Sequence, residues 1–232
     1  SAGYIKNIDE VQFIELSDGT IVSFGRQQGK GKTPVSISKD GGETWGEMTY
    51  NDLISVQVQK SFITYPLDSD TEADETSDER FDYVPGMQKG KQYVIAAHAT
   101  GNPNDASRTN GVVKLGEVQD DSVLWIAERS LKLKPNPYAN TQGRENFFAY
   151  SSLAVLENGN IGILFEPQPN NYIAYAEFNL EWILNGEQEG IIYEPNMTLE
   201  HVIDVDQPAL SDLSLTVEKG SNTLSHIPPG DT

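Results

Sequence analysis

Cysteine is absent from all 232 residues, which removes disulfides, thiolate nucleophiles and cysteine-bound metal in one step. That absence leaves the compartment open, yet it suits a bacterial protein that works outside the cell without disulfides. Basic side chains are scarce: 16 Lys and Arg stand against 35 Asp and Glu, for a formal charge of −19. A nucleic-acid binder needs clustered cations to neutralise phosphate, so this balance argues against that class. Long apolar runs are missing too, and none approaches the roughly 20 residues that cross a bilayer. No leader pattern stands at Ser1-Ala-Gly-Tyr4, and the abrupt start before strand-like sequence is what an internal piece of a longer chain would show. The histidines, His98, His201 and His226, are scattered without metal-ligand spacing, so neither a metal nor a cofactor is expected.

What the chain does contain is a hairpin used twice. Tyr150 is followed by an apolar run from Leu153 to Leu156, the tripeptide Glu157-Asn-Gly159, and a second run from Ile161 to Phe165. The Asn-Gly pair supplies the positive φ of a tight turn. Near the N-terminus, Leu16-x-x-Gly19-x-Ile21 superposes on Leu156-x-x-Gly159-x-Ile161 without a gap. In that register Glu10 falls on Tyr150 and Arg26 falls on Glu166. Two hairpins of one design with polar residues at equivalent ends point to a radially repeated sheet.

A second repeat-like feature lies at Ser38-Lys-Asp40-Gly-Gly42-Glu-Thr-Trp45, which matches the Asp-box pattern Ser-x-Asp-x-Gly-x-Thr-Trp. The Asp should accept backbone N–H groups across a Gly-dependent turn while the Trp packs between strands. Such turns are structural and sit on an outer rim. Val118-Gln-Asp120-Asp-Ser-Val-Leu-Trp125 keeps the Asp-to-Trp spacing and reads as a decayed copy. Between these, Asp68 to Asp82 is an acidic stretch with too few apolar residues for a strand. Alternating Asp68, Asp70 and Glu72 suggest calcium, but Ala73 stands where an EF-hand loop needs Gly, so a solvated loop is expected. Gly101 to Gly111 is a turn-rich loop around Arg108 leading into a strand from Val112 to Leu115. Tyr172 to Ile183 reads as a last strand and closure. Asn196-Met-Thr198 has the glycosylation pattern alone. A boundary is placed near 190, dividing a domain over 1–190 from an extension of linker-like composition over 191–232.

Taken together, Glu10, Arg26, the Asp box, Arg108 in Ser-Arg-Thr-Asn-Gly, Tyr150-Ser-Ser-Leu, Leu164-Phe-Glu166 and Phe178-Asn-Leu-Glu-Trp182 resemble the C-terminal half of bacterial sialidases (neuraminidases). The resemblance implies an all-β chain supplying roughly the last three blades of a six-bladed propeller whose central pocket binds a terminal sialic acid. It implies an extracellular, secreted or cell-surface exo-α-sialidase with Tyr150 as nucleophile and Glu10 as the carboxylate that takes its proton. Arg26 and Arg108 would be the second and third members of an arginine triad, and Glu166 would orient the first. That first arginine and the family's acid/base aspartate have no match here. The implied partners are therefore sialylated glycans and the N-terminal half of the same enzyme, and the chain alone is expected to be inactive.

The implied chemistry is self-consistent. Sialic acid carries a carboxylate at its anomeric carbon, which would repel an anionic nucleophile but not a neutral phenol activated by a base. Forked guanidinium bonds would hold that carboxylate. Two other readings stand beside hydrolysis: a propeller that binds sialoglycan without turnover, and an intramolecular trans-sialidase.

Overall fold

The computed structural model describes residues 5, 8–26, 31–66, 84–101, 108–120, 122–131, 147–167, 172–184 and 203–204. Most of them lie in three antiparallel sheets of four strands each. The first sheet runs β1 (Asp9–Glu15), β2 (Ile21–Arg26), β3 (Gly31–Ser38) and β4 (Thr49–Ser55). The second runs β5 (Ser61–Tyr65), β6 (Tyr93–Ala99), β7 (Gly111–Gln119) and β8 (Ser122–Ser130). The third holds β9 (Ala149–Val155), β10 (Ile161–Glu166) and β11 (Tyr172–Phe178), with the two-residue β12 (Ile203–Asp204) paired outside β11. Each sheet is a meander, and β5, the first strand of the second sheet, lies against both β1 and β9, the first strands of the other two. Four-stranded meanders packed through their first strands are the blade arrangement of a β-propeller.

The middle blade explains the burial. Every residue of β6 is buried, because both faces of its sheet are covered. Val94 and Ala96 point into a cluster with Ile14, Val22, Phe24 and Leu53 of the first blade. Tyr93, Ile95, Ala97 and Ala99 point into a second cluster with Leu153, Ile163 and Phe165 of the third. Phe24 stacks on Phe62 with centroids 4.1 Å apart, and Phe148 on Phe165 at 5.0 Å. The wedge therefore has two cores, one on each side of its central sheet.

The repeated turn is the same object in both copies. Gly19 and Gly159 have φ of 83° and 81°. Leu16 N–H donates to the Thr20 carbonyl at 2.8 Å, and Leu156 N–H to the Asn160 carbonyl at 2.8 Å. Asp18 and Asn158 each accept the N–H two residues on, at 2.9 and 3.0 Å. This is the side-chain turn chemistry expected of Asx residues.

Two expectations need correction. The run Tyr172 to Ile183 is not one strand: β11 ends at Phe178 and a single helical turn, α1 (Leu180–Leu184), follows. Asn179 caps it, its Oδ1 accepting Trp182 N–H at 2.9 Å, and Glu181 sits favourably in the first turn. The stretch Val118 to Trp125 keeps the Asp box's place between third and fourth strands but not its turn. β7 runs to Gln119, β8 begins at Ser122, and Trp125 is already inside β8. Its indole N–H donates instead to Asn51 of the first blade at 2.8 Å. The acidic stretch 68–82, Asn196, His201, His226 and the boundary at 190 lie outside the described residues. Among those described, no helix is long and apolar enough to cross a membrane, and no group of acidic, histidine or cysteine side chains could hold a metal ion.

Candidate functional site

At the start of β1 and of β9 the pairing slips by one residue. Asp9 opposes Arg26 and Gln12 opposes Phe24, so Glu10 and Val11 together face Gly25. Ala149 opposes Glu166 and Ser152 opposes Leu164, so Tyr150 and Ser151 together face Phe165. Both are β-bulges, devices that re-aim a side chain at the edge of a sheet. Glu10 has φ of 43° and Tyr150 of 42°, a left-handed conformation that costs a non-glycine residue roughly 1–2 kcal/mol. Two blades carry the same strain at the same place, and that strain turns Glu10 and Tyr150 to one end of the inner strands.

Arg26, the last residue of β2, lies between them. Its Nη1 donates to Glu10 Oε1 at 2.7 Å, with the two side chains 13% and 33% exposed. The Tyr150 hydroxyl approaches the same guanidinium. Burial works against the charge of Arg26, but Glu10 and Tyr150 outweigh it and hold the group above its ordinary value. Arg26 Nε is buried and has no hydrogen-bond partner among the described residues. No hydrogen bond joins Glu10 to Tyr150 among them either: both use Arg26.

Arg108 comes from the lead-in to β7. Its carbonyl accepts Phe148 N–H at 2.9 Å, and Thr109 bridges to Phe147, which docks it beside β9. Gly111 permits this approach, since a Cβ there would lie 2.3 Å from the Phe148 ring. The guanidinium sits 5.2 Å from the centre of the Tyr150 ring, and its Nε donates to the Gln57 carbonyl at 3.2 Å. Glu166 ends β10, opposite the bulge. Burial raises its carboxyl above the usual value, and the charge of Arg108 opposes that rise.

One group escaped the sequence reading. Lys60 directly precedes β5, is 2% exposed, and donates to the Gly25 carbonyl at 3.3 Å. Burial first, then the neighbouring Arg26, pull its ammonium down to about 8, while Glu10 acts the other way. No motif marks it; a lysine between Gln59 and an apolar strand reads as a solvated flank.

The structure thus brings together Glu10, Arg26, Arg108 and Tyr150, with Glu166 near Arg108. In a chain of net charge −19, the three cations Arg26, Lys60 and Arg108 among two carboxylates and a phenol form a net positive island suited to an anionic ligand. The turn at Ser38 to Trp45 lies elsewhere, between β3 and β4. There the Thr44 hydroxyl donates to Asp40 Oδ2 at 2.5 Å while Asp40 Oδ1 accepts Thr44 N–H and Ser38 Oγ–H, both at 2.8 Å, and these bonds, the Thr44 hydroxyl's first, hold its carboxyl down at about 2. Its role is to close the outer pair of strands.

No family model matches the chain. Among curated proteins it is 26% identical over 179 residues to a sialidase of Micromonospora viridifaciens, covering 76% of this chain and 22% of that protein. It is 28% identical over 190 residues to an anhydrosialidase of Macrobdella decora, covering 78% and 21%. Among solved structures, an intramolecular trans-sialidase from Ruminococcus gnavus matches 75% of this chain and 33% of that one, with TM-score 0.54 and 23% identity. A leech intramolecular trans-sialidase complexed with 2,7-anhydro-Neu5Ac matches 76% and 24%, with TM-score 0.55 and 20% identity. The chain spans about a fifth of the length of the curated relatives it matches.

Proposed function

The chain is a relative of the sialidases, with their propeller fold and 26–28% identity over 76–78% of its own length, and from that premise we propose that it supplies the C-terminal share of a sialate-cleaving site. The carrying observation is the matched pair of bulges that sets Glu10 and Tyr150 on either side of Arg26. A lectin needs cations for the sialate carboxylate; it has no use for a strained carboxylate and a strained phenol beside them.

In this reading Arg26 and Arg108 take the carboxylate of a terminal sialic acid in charge-assisted, forked bonds. Tyr150 attacks the anomeric carbon as the glycosidic bond breaks, and a covalent aryl glycoside forms with retention after the second displacement. Glu10 accepts the phenolic proton, since a phenol near pKa 10 is a weak nucleophile unaided. For that step the Tyr150 hydroxyl and Glu10 exchange their common partner Arg26 for each other as the substrate carboxylate engages the guanidinium. Glu166 waits at the end of β10 to hold a further arginine.

Protonation of the leaving group and the third arginine come from outside this chain, in the preceding half of a six-bladed propeller. The faces that such blades would cover are apolar at both ends of the wedge, with Phe13 66% and Leu164 46% exposed. An extracellular protein acting on sialylated glycans follows from the same reading.

The test is release of a fluorogenic aglycone from a sialoside, by this chain alone and together with the N-terminal half of its parent. Activity is expected only in the combination, and Tyr150→Phe should abolish it while sialic acid still binds. Turnover by the Phe variant at the wild-type rate would refute the nucleophile. Two silent samples that still bind sialic acid would leave a glycan-binding propeller. The anhydrosialidase and trans-sialidase relatives favour a second product, so the released sugar is identified by NMR. A 2,7-anhydro sugar means intramolecular transfer to the ligand's own hydroxyl, and free sialic acid means hydrolysis.

A further inference from the structure

Residues 57–61, before and at the start of β5, contact Arg108 itself and the chain neighbours of Arg26 and Tyr150. Gln57 accepts Arg108 Nε–H at its carbonyl, 3.2 Å away. Lys60 reaches across to the first blade and holds the Gly25 carbonyl, one residue from Arg26. Ser61 shares a hydrogen bond of 3.0 Å with Ser151, the residue after Tyr150, and Ser151 Oγ in turn meets the Ala97 carbonyl at 3.3 Å. The stretch 57–61 is a frame between the two arginines and the phenol. Its one charged member is also its most costly, because an ammonium has been taken almost wholly out of water for a single hydrogen bond among the described residues. A methionine would fill the same space without that penalty. Packing alone therefore gives no reason for a lysine here.

We infer that Lys60 is a positioning residue of this site: its ammonium pins the Gly25 carbonyl at the root of Arg26 and adds a fixed positive charge beside the Glu10–Arg26 pair. The groups that face it are Glu10 from β1, Arg26 from β2 and His98 from β6. Glu10 attracts the ammonium and Arg26 repels it. His98 is fully buried and held neutral, down to about 3, by burial and by Lys60 and Lys114, so it contributes no charge between pH 5 and 10. Pinned from behind and repelled by a second cation, the Arg26 guanidinium is driven toward Glu10 and the ligand side. When Lys60 loses its proton, near pH 8, the repulsion goes and the pin weakens to the bond of a neutral amine, so Arg26 is free to reorient. The inference rests on the sialate-binding reading for its ligand only; the positioning itself is a property of the empty site.

The experiment follows the Arg26 Nε and Cζ resonances of the chain by NMR from pH 6.5 to 9.5, in wild type, Lys60→Met and Lys60→Arg. Wild type is expected to show one transition centred near pH 8. Lys60→Met should lack it and hold Arg26 throughout at the wild-type high-pH position, whereas Lys60→Arg should stay at the low-pH position with no transition. A flat wild-type profile, or a transition that survives in either variant, overturns the proposal. If Lys60→Met does not fold, the wild-type and Lys60→Arg profiles decide it. In parallel, N-acetylneuraminic acid is titrated into the same samples. Wild-type affinity should fall about tenfold between pH 7 and 9.5, Lys60→Met should be about tenfold weaker at pH 7, and Lys60→Arg should stay within about threefold of wild type. Binding without the Arg26 transition refutes the role of Lys60 and leaves sialate recognition standing. The transition without binding does the reverse.

Discussion

Two buried bases set how the chain answers to pH, and both act in the same direction, stability rising with pH through each. His98 stays neutral in the fold down to about 3 but takes a proton near 6.5 when unfolded. As pH falls below 6.5 the unfolded chain binds the extra proton, so stability is lost, by about 2 kcal/mol at pH 5. Lys60 has a folded value of about 8 against 10.5 unfolded. Below pH 8 the buried ammonium carries its full penalty, on the order of 3 kcal/mol, and stability is regained as pH rises from 8 toward 10.5. Urea unfolding at pH 5, 7 and 9.5 should show the rise at both steps, and Lys60→Met should flatten the upper one and be at least as stable as wild type at pH 7. A residue that stabilises by leaving, while weakening the site, is a functional residue. Neither base was legible in the sequence. Burial of a lone lysine or histidine depends on the neighbouring blades, and those neighbours lie 35 residues away or more along the chain, as Gly25 does from Lys60.

The hairpins were legible because their turn chemistry is local. Leu-x-x-Gly-x-Ile encodes an Asx side chain, a left-handed glycine and two apolar flanks within six residues, and both copies fold accordingly. Gly19 has open space where a Cβ would go, so Gly19→Ala tests the backbone alone. It should cost about 1 kcal/mol by chemical denaturation, and Gly19→Asn appreciably less, because asparagine tolerates the left-handed region. Equal losses for the two would mean that the turn is not what holds β1 to β2. The bulges were not legible, since a strand with one extra residue has the composition of any strand. Yet the register of the repeats had already set Glu10 on Tyr150, and the bulge is the physical form of that equivalence. The helical turn α1 was missed for a related reason: Asn179 interrupts an alternating run only by capping, which spacing does not record.

At the scale of the whole wedge, the outer blades expose apolar side chains, Val11 and Phe13 on the first and Leu164 on the third. If the proposed N-terminal half covers them, its addition raises the melting temperature of the chain. Calorimetry of the separate and mixed halves checks it, and an unchanged midpoint would mean that these faces are not docking surfaces.

The two cores carry a consequence of their own. Glu10 and Arg26 stand on the blade anchored by one cluster, and Tyr150 on the blade anchored by the other. The central sheet is thus a seam, and Glu10 and Tyr150 stand on opposite sides of it. If the two cores are separate cooperative units, fluctuations that part them move Glu10 away from Tyr150 before either core melts, so binding of an anionic ligand should fade on heating while most backbone protection against hydrogen exchange persists. An anionic ligand gripped by both arginines acts as a rivet across that seam, turning two neighbouring folding units into one.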